Sequence, residues 1–282
     1  MPFAASSASA TATAPPPYVG GPKVYIAGGE PVTEPTPAVA VYANSLDEFR
    51  CGGTLITDTA VVTAAHCVSD LPTEQDTAQA PPRTSERFFI RVGSPDRTAG
   101  QVREVTGVHL HPGWSWQQSN IADIAVVRLA APVQGVEPAH LGHVQPDQLV
   151  HVVGWGHARP EPLPPPFSAP PIPTKLSGID MRVVELARCQ GADPAAGPGE
   201  VCLTPTTLLS GPCPGDSGSP GLQGREVVAL VSRGFNPCSL GNVVMTAIGP
   251  HTPWVREMAG LETTRPQGYM RLPWKTPGNG WS

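Results

Sequence analysis

Residues 213–220 read Cys-Pro-Gly-Asp-Ser-Gly-Ser-Pro, a serine (Ser217) inside a turn bounded by Gly215 and Gly218. Glycine removes the Cβ that would block an approaching substrate, and it lets backbone N–H groups converge on one point. The N–H groups of Gly215 and Ser217 are therefore candidates for holding an oxyanion. Alone, such a tetrapeptide also suits an ordinary surface turn. Working outward, two more polar residues stand in apolar surroundings: His66 in Thr63-Ala64-Ala65-His66-Cys67, and Asp123 in Asn120-Ile121-Ala122-Asp123-Ile124-Ala125-Val126. A histidine beside a core strand is commonly structural. A carboxylate in an apolar strand needs a partner, because burying it unpaired costs several kcal/mol. Together the three make chemical sense: a serine hydroxyl is a weak nucleophile until a base takes its proton, and a buried carboxylate fixes that base's tautomer. Their order, His66 then Asp123 then Ser217, excludes the α/β-hydrolase arrangement, in which the serine comes first within a G-x-S-x-G elbow.

The rest of the chain points to β structure. Its 282 residues include 36 Pro and 30 Gly, with 40% hydrophobic and 15% charged residues. So many breakers exclude a helix bundle or coiled coil. Short β-type runs occur at 38–42, 54–56, 61–63, 88–92, 124–129, 150–153, 181–186, 227–231 and 243–248, separated by turn-rich loops at sandwich or barrel spacing. The one expected helix is 253–262. Residues 1–25 read as a leader and 259–282 as a tail. Residues 159–174 are proline-rich and cannot supply a regular set of ladder donors. A net charge of −5 gives no footprint for nucleic acid, and no stretch approaches the 18 apolar residues of a membrane span.

Six cysteines, none in a CxxC pair, argue against a zinc ribbon and for three disulfides, whose connectivity has 15 possibilities. Disulfides imply an oxidising compartment, so a secreted protein is expected. Residues 1–17 hold no basic residue and no apolar run, yet their A-x-A-like steps resemble the end of a signal peptide. A misassigned start codon or a truncated chain is the expectation.

Six segments in order resemble the chymotrypsin/trypsin family of serine proteases: CGGTLI at 51–56, TAAHC at 63–67, DIAVV at 123–127, GWG at 154–156, GDSGSP at 215–220 and VSRG at 231–234. The resemblance covers roughly residues 26–258. It implies an all-β fold of two packed six-stranded antiparallel β-barrels, 26–142 carrying His66 and Asp123 and 143–258 carrying Ser217, with a short C-terminal helix. It implies peptide-bond hydrolysis by His66, Asp123 and Ser217 in the cleft between them, with Ser232 behind Asp123. It also implies the disulfides Cys51–Cys67, Cys189–Cys202 and Cys213–Cys238. No triad member is lost, which separates an active endopeptidase from a non-catalytic binding module of the same fold.

The resemblance also sets the specificity question. Gly211, six residues before Ser217, is the pocket floor, where a trypsin-like preference for Lys or Arg needs Asp; neutral apolar residues are expected on the acyl side instead. Gly234 is one wall. The other is Gly241, giving a deep pocket for Phe, Tyr or Leu, or Val243, giving a shallow one for Ala or Val. Arg233 stands where the family usually has an aromatic residue, which favours acidic groups in the adjoining subsite. Ile26-Ala27-Gly28-Gly29 resembles the family's mature start, so a zymogen cut between Tyr25 and Ile26 is expected, its new α-ammonium pairing with Asp216. No cofactor is implied, and no metal: HExxH-type spacing is absent, His109 and His111 read as surface strand ends, and Asp70, Glu74 and Asp76 as a solvated loop rather than a calcium site. Expected partners are protein or peptide substrates and protein protease inhibitors, without nucleic acid or membrane, and the chain is expected to act as a monomer.

Overall fold

Strand β2 (Ala38–Ala43) is buried at all six positions, and its alternation shows why. Val39 and Val41 point into one apolar core, while Ala38, Ala40 and Tyr42 point into a second. A strand buried on both faces must lie between two packed layers. The computed structural model describes residues 26–70, 84–116, 122–157, 171–234 and 238–261. Short β1 (Glu30–Pro31) precedes β2. After β2 come β3 (Phe49–Thr57), β4 (Ala60–Thr63), the single-turn helix α1 (Ala65–Val68), β5 (Phe88–Val92), β6 (Gln101–Leu110) and β7 (Ala125–Leu129). These strands close an antiparallel barrel in the order β2-β3-β4-β7-β6-β5. Val39, Val41, Leu55, Val61, Ile90, Val127 and Leu129 fill it.

Strand β8 (His140–Leu141) leads to β9 (Leu149–Gly154), β10 (Ser177–Val184), the single-turn α2 (Ala187–Gln190), β11 (Glu200–Pro205), β12 (Pro220–Gln223), β13 (Glu226–Gly234) and β14 (Val243–Ala247). The second barrel runs β9-β10-β11-β14-β13-β12 and closes through the β12–β9 pair. Val150, Val152, Met181, Leu203, Ala229, Val231 and Met245 fill its interior. Between the barrels lies a shared seam containing Tyr42, Val62, Ile124, Val126, Val153, Trp155 and Leu230. Residues 26–31 precede the first barrel in sequence yet lie on the second: β1 pairs with β10, and Ile26 is fully buried in that barrel's core. The last helix, α3 (Ile248–Met258), packs Ile248 and Val255 into the seam.

The fold class is as the resemblance implies, but five strands lack a clear signal, the two-residue β1 and β8 among them. In β6, the valines fall at 102, 105 and 108, which is not a strand period. A bulge between Val105 and Gly107 absorbs one residue, so Val105, Val108 and Leu110 still reach the core. Strand β12 opens on Pro-Gly, and β11 is only half apolar. The helix also differs from expectation. It starts at Ile248 rather than Pro253 and ends at Met258, because burying Ile248 fixes the start and Pro253 is tolerated inside at the loss of one backbone donor. Of the expected loop features, Asp70 accepts a hydrogen bond from Ser85 N at 2.8 Å. Glu74, Asp76, the leader, most of the proline-rich loop and all but the first three residues of the tail lie outside the described residues.

Candidate active site

His66 sits on α1, the single turn at the end of β4, where the Cys51–Cys67 disulfide ties that turn to β3. The other two disulfides join Cys189 to Cys202 and Cys213 to Cys238. Asp123 comes from the segment just before β7, 2% exposed, and faces the same turn. Its Oδ1 accepts the His66 backbone N–H at 3.0 Å, and its Oδ2 lies 2.7 Å from His66 Nδ1. Two contacts to one carboxylate fix both ring position and tautomer: Nδ1 carries the proton toward Asp123, and Nε2 of the neutral ring is left as the acceptor. Ser232, on β13 of the second barrel, donates to Asp123 Oδ2 at 2.7 Å, and Thr246 Oγ1 donates to the Asp123 carbonyl at 3.1 Å. Burial by itself pushes the Asp123 carboxyl up. Electrostatic attraction to the His66 ring, the His66 hydrogen bonds and that of Ser232 outweigh burial and hold it below the ordinary carboxylate range.

The backbone around Ser217 is held from both barrels. Gly52 N, on β3, donates to the Ser217 carbonyl at 2.8 Å, and Gly218 N donates to the Val231 carbonyl at 2.7 Å. Gly218, at φ +74°, shows why glycine follows the serine. A Cβ there would lie 2.3 Å from Thr63 Oγ1, 2.6 Å from the Gly52 carbonyl and 3.0 Å from Ala64 N. The backbone after Ser217 thus presses directly on the residues leading into the His66 turn, and any side chain would push the barrels apart. Among the described residues, neither Gly215 N–H nor Ser217 N–H is engaged in a backbone hydrogen bond.

Asp216 is fully buried, accepting Gly156 N at 2.7 Å and Cys213 N at 2.9 Å. Burial raises its carboxyl to about 7, against the pull of those two donors. Ile26 is equally buried, with its N–H on Ser177 Oγ at 2.6 Å, and Ala27 bridges to Gly211, whose N–H donates to the Ala27 carbonyl at 3.0 Å. Opposite Gly234 in the β13–β14 register stands Val243, not Gly241. A Cβ on Gly234 would lie 3.8 Å from Val243 Cγ2, so the valine side chain is on that face.

Several features were not legible beforehand. Trp114 and Trp116 flank the His66 ring at 6.4 and 6.3 Å between centroids, held by Ser69 Oγ and the Asp70 carbonyl. Thr246 carried no signal at all. His111 is half-buried rather than a plain surface residue: its ring packs edge-on to His251 and Trp254 of α3, and burial followed by the nearby His251 lowers its pKa to about 4. Arg233 does not offer a free cation to acidic groups, because Asp193 and Glu200 already take its guanidinium. The Cys51–His66–Cys67 cluster resembles a metal-ligand set, but both sulfurs are oxidised into the disulfide and supply no thiolate.

A family model described as Trypsin matches residues 26–255. The chain belongs to the trypsin family. Curated relatives include a trypsin of Phaedon cochleariae, 30% identical over 73% of this chain and 78% of that protein. Human kallikrein-12 is 28% identical over 74% of this chain and 80% of that protein. Among solved structures, neuropsin, described as a serine protease expressed in the limbic system of mouse brain, superposes with a TM-score of 0.69 at 22% identity, covering 83% of this chain and all of that one. That likeness speaks to the two-barrel fold. As a trypsin-family member this chain is a serine endopeptidase, a hydrolase of protein or peptide substrates. Among the described residues, no helix is long and apolar enough to cross a membrane.

Proposed function

We propose that this endopeptidase works through His66, Asp123 and Ser217, with Gly215 N–H and Ser217 N–H as the oxyanion donors. His66 Nε2 takes the Ser217 hydroxyl proton as Oγ attacks the scissile carbonyl. The carbonyl oxygen becomes the oxyanion, and the imidazolium returns the proton to the leaving amine. Water then repeats the sequence on the acyl-enzyme. The observation that carries this reading is the buried Asp123 carboxylate at 2.7 Å from both His66 Nδ1 and Ser232 Oγ. A structural histidine needs no such buried, charged orienting group. Val243 facing Gly234 favours a shallow primary pocket, so small aliphatic residues such as Ala and Val are preferred on the acyl side, and Lys or Arg are poor with Gly211 at the floor. The buried seats of Ile26 and Ala27 beside Gly211 support a zymogen cut between Tyr25 and Ile26, after which the α-ammonium pairs with Asp216. Three disulfides support secretion. The protein acts as a monomer open to protein inhibitors. A fluorophosphonate probe on the cut protein tests the core of this reading: labelling is expected and is lost in Ser217→Ala. Labelling that survives that substitution, or none in the wild type, refutes it. Cleavage rates on peptides ending in Val, Phe or Arg at the cut test the pocket.

A further inference from the structure

Arg233 lies on β13 between Ser232, which touches Asp123, and Gly234, which faces Val243. Its guanidinium meets two carboxylates from the Cys189–Cys202 region. Nε donates to Asp193 Oδ2 at 2.6 Å, and Nη1 and Nη2 donate to Glu200 Oε1 and Oε2 at 2.5 and 3.0 Å. Backbone N–H groups complete both acids: Ala195 N to Asp193 Oδ1 at 3.1 Å and Gly197 N to Glu200 Oε2 at 2.9 Å. The Glu200 side chain is wholly buried, whereas Arg233 and Asp193 remain 25% and 22% exposed. One cation against two anions leaves the group with a formal charge of −1, partly open to solvent. Burial opposes the Arg233 charge, but the Glu200 and Asp193 contacts outweigh it and hold its pKa up, so the cation is permanent.

The neighbouring strand edge gives this charge a target. Strand β12 pairs with β13 only as far as Leu230, so on that side the 232–234 edge has no strand partner among the described residues. An extended peptide adds to such an edge, and its alternate side chains stand over the same face as Arg233. We propose that Asp193, Glu200 and Arg233 form an acidic upstream subsite that selects substrates carrying Lys or Arg among the three residues preceding the one cleaved, and disfavours Asp or Glu there. This rests on the reading of Ser217 as nucleophile and of 232–234 as the substrate strand. It reverses what an unpaired arginine at 233 implies.

The test uses the cut, full-length protein and tetrapeptide amides with Val at the cleaved position and Lys, Gln or Glu at each upstream position in turn. At low salt kcat/KM is expected to be ~3–10-fold higher for Lys than for Glu at the best position, as a net unit charge at partly solvated range implies. High salt should shrink that ratio toward one, because the site is partly exposed. Asp193→Asn can keep the hydrogen bond to Arg233, at the loss of the one from Ala195 N, while cancelling the net charge, and should likewise flatten the ratio. A purely structural clamp moves neither ratio. Ser217 labelling by the fluorophosphonate runs in parallel. Labelling with no charge preference, or with Glu preferred, overturns the subsite alone; absence of labelling overturns the catalytic reading beneath it.

Discussion

At the scale of single residues, Asp123 concentrates three jobs in one carboxylate: it orients His66, fixes the ring tautomer and accepts from Ser232. Asp123→Asn should therefore keep the fold yet lose about four orders of magnitude in kcat, since an amide favours the wrong imidazole tautomer. Ser232→Ala removes only one charge-assisted bond and should cost about tenfold or somewhat more. Steady-state kinetics beside thermal melts check both; near-normal turnover in Asp123→Asn would overturn the assignment. Gly211 behaves differently. From sequence, introducing Asp there is expected to give measurable though poor cleavage after basic residues. Gly211, however, sits at φ +153°, a conformation L-residues rarely adopt, with Ser239 Cα 3.3 Å from where a Cβ would be. Gly211→Asp is expected to destabilise by about 1–3 kcal/mol and to yield little cleavage after Lys. An unchanged melting temperature together with efficient cleavage after Lys would show the backbone adapts.

At the scale of elements, α3 is docked partly through a titratable contact. His111, following β6, stacks on His251 and Trp254, and its pKa falls from 6.5 to about 4. The folded state therefore binds fewer protons than the unfolded chain between those values. The stability this ring contributes is complete above about 6.5 and is lost as pH falls toward 4. Allowing for screening of a half-exposed ring, the loss should be no more than about 1–2 kcal/mol. His111→Phe should flatten that part of the stability profile, read as urea midpoints from pH 7 to pH 4. A profile unchanged by the substitution would remove the contact's role. Element boundaries show the limits of local reading for the same reason: the start of α3 is decided by where Ile248 is buried, and the strand status of β6 by a bulge that its partner β7 imposes.

For the whole molecule, the link proposed between a cut at Ile26 and the active site is electrostatic. In the uncut chain the Asp216 carboxyl stands at about 7, against 3.8 for an ordinary aspartate, because burial outweighs the two backbone donors, Gly156 N and Cys213 N, that favour its charge. The folded state then holds a proton that the unfolded chain releases, so the contribution of this group should be complete below about pH 4 and be lost as pH rises to 7, by a few kcal/mol. A cut before Ile26 supplies an α-ammonium, which favours the carboxylate and should abolish that decline. Denaturation midpoints of cut and uncut protein at acid and neutral pH measure this; identical slopes would end the activation mechanism, as would full activity with residues 1–25 still attached.

What the sequence determined by itself is the part carried by residue identity and short spacing. Ser217 in its glycine-bounded turn, His66 beside Cys67, Asp123 in an apolar run and the period-two strands are all local patterns, and the two-barrel fold follows from them through the family resemblance. Tertiary structure alone decided what depends on register and long-range approach. Val243 rather than Gly241 faces Gly234 because β13 and β14 pair in one register, which the sequence between them does not announce. Arg233 is neutralised and more by Asp193 and Glu200, 40 and 33 residues away, so its sequence neighbours misstate its charge. Trp114 and Trp116 reach His66, and Thr246 reaches Asp123, only after the chain has folded back. A side chain's chemistry is written in the sequence, but its field is set by whichever charges and dipoles the fold brings within a few ångströms, and most of those are distant in the chain.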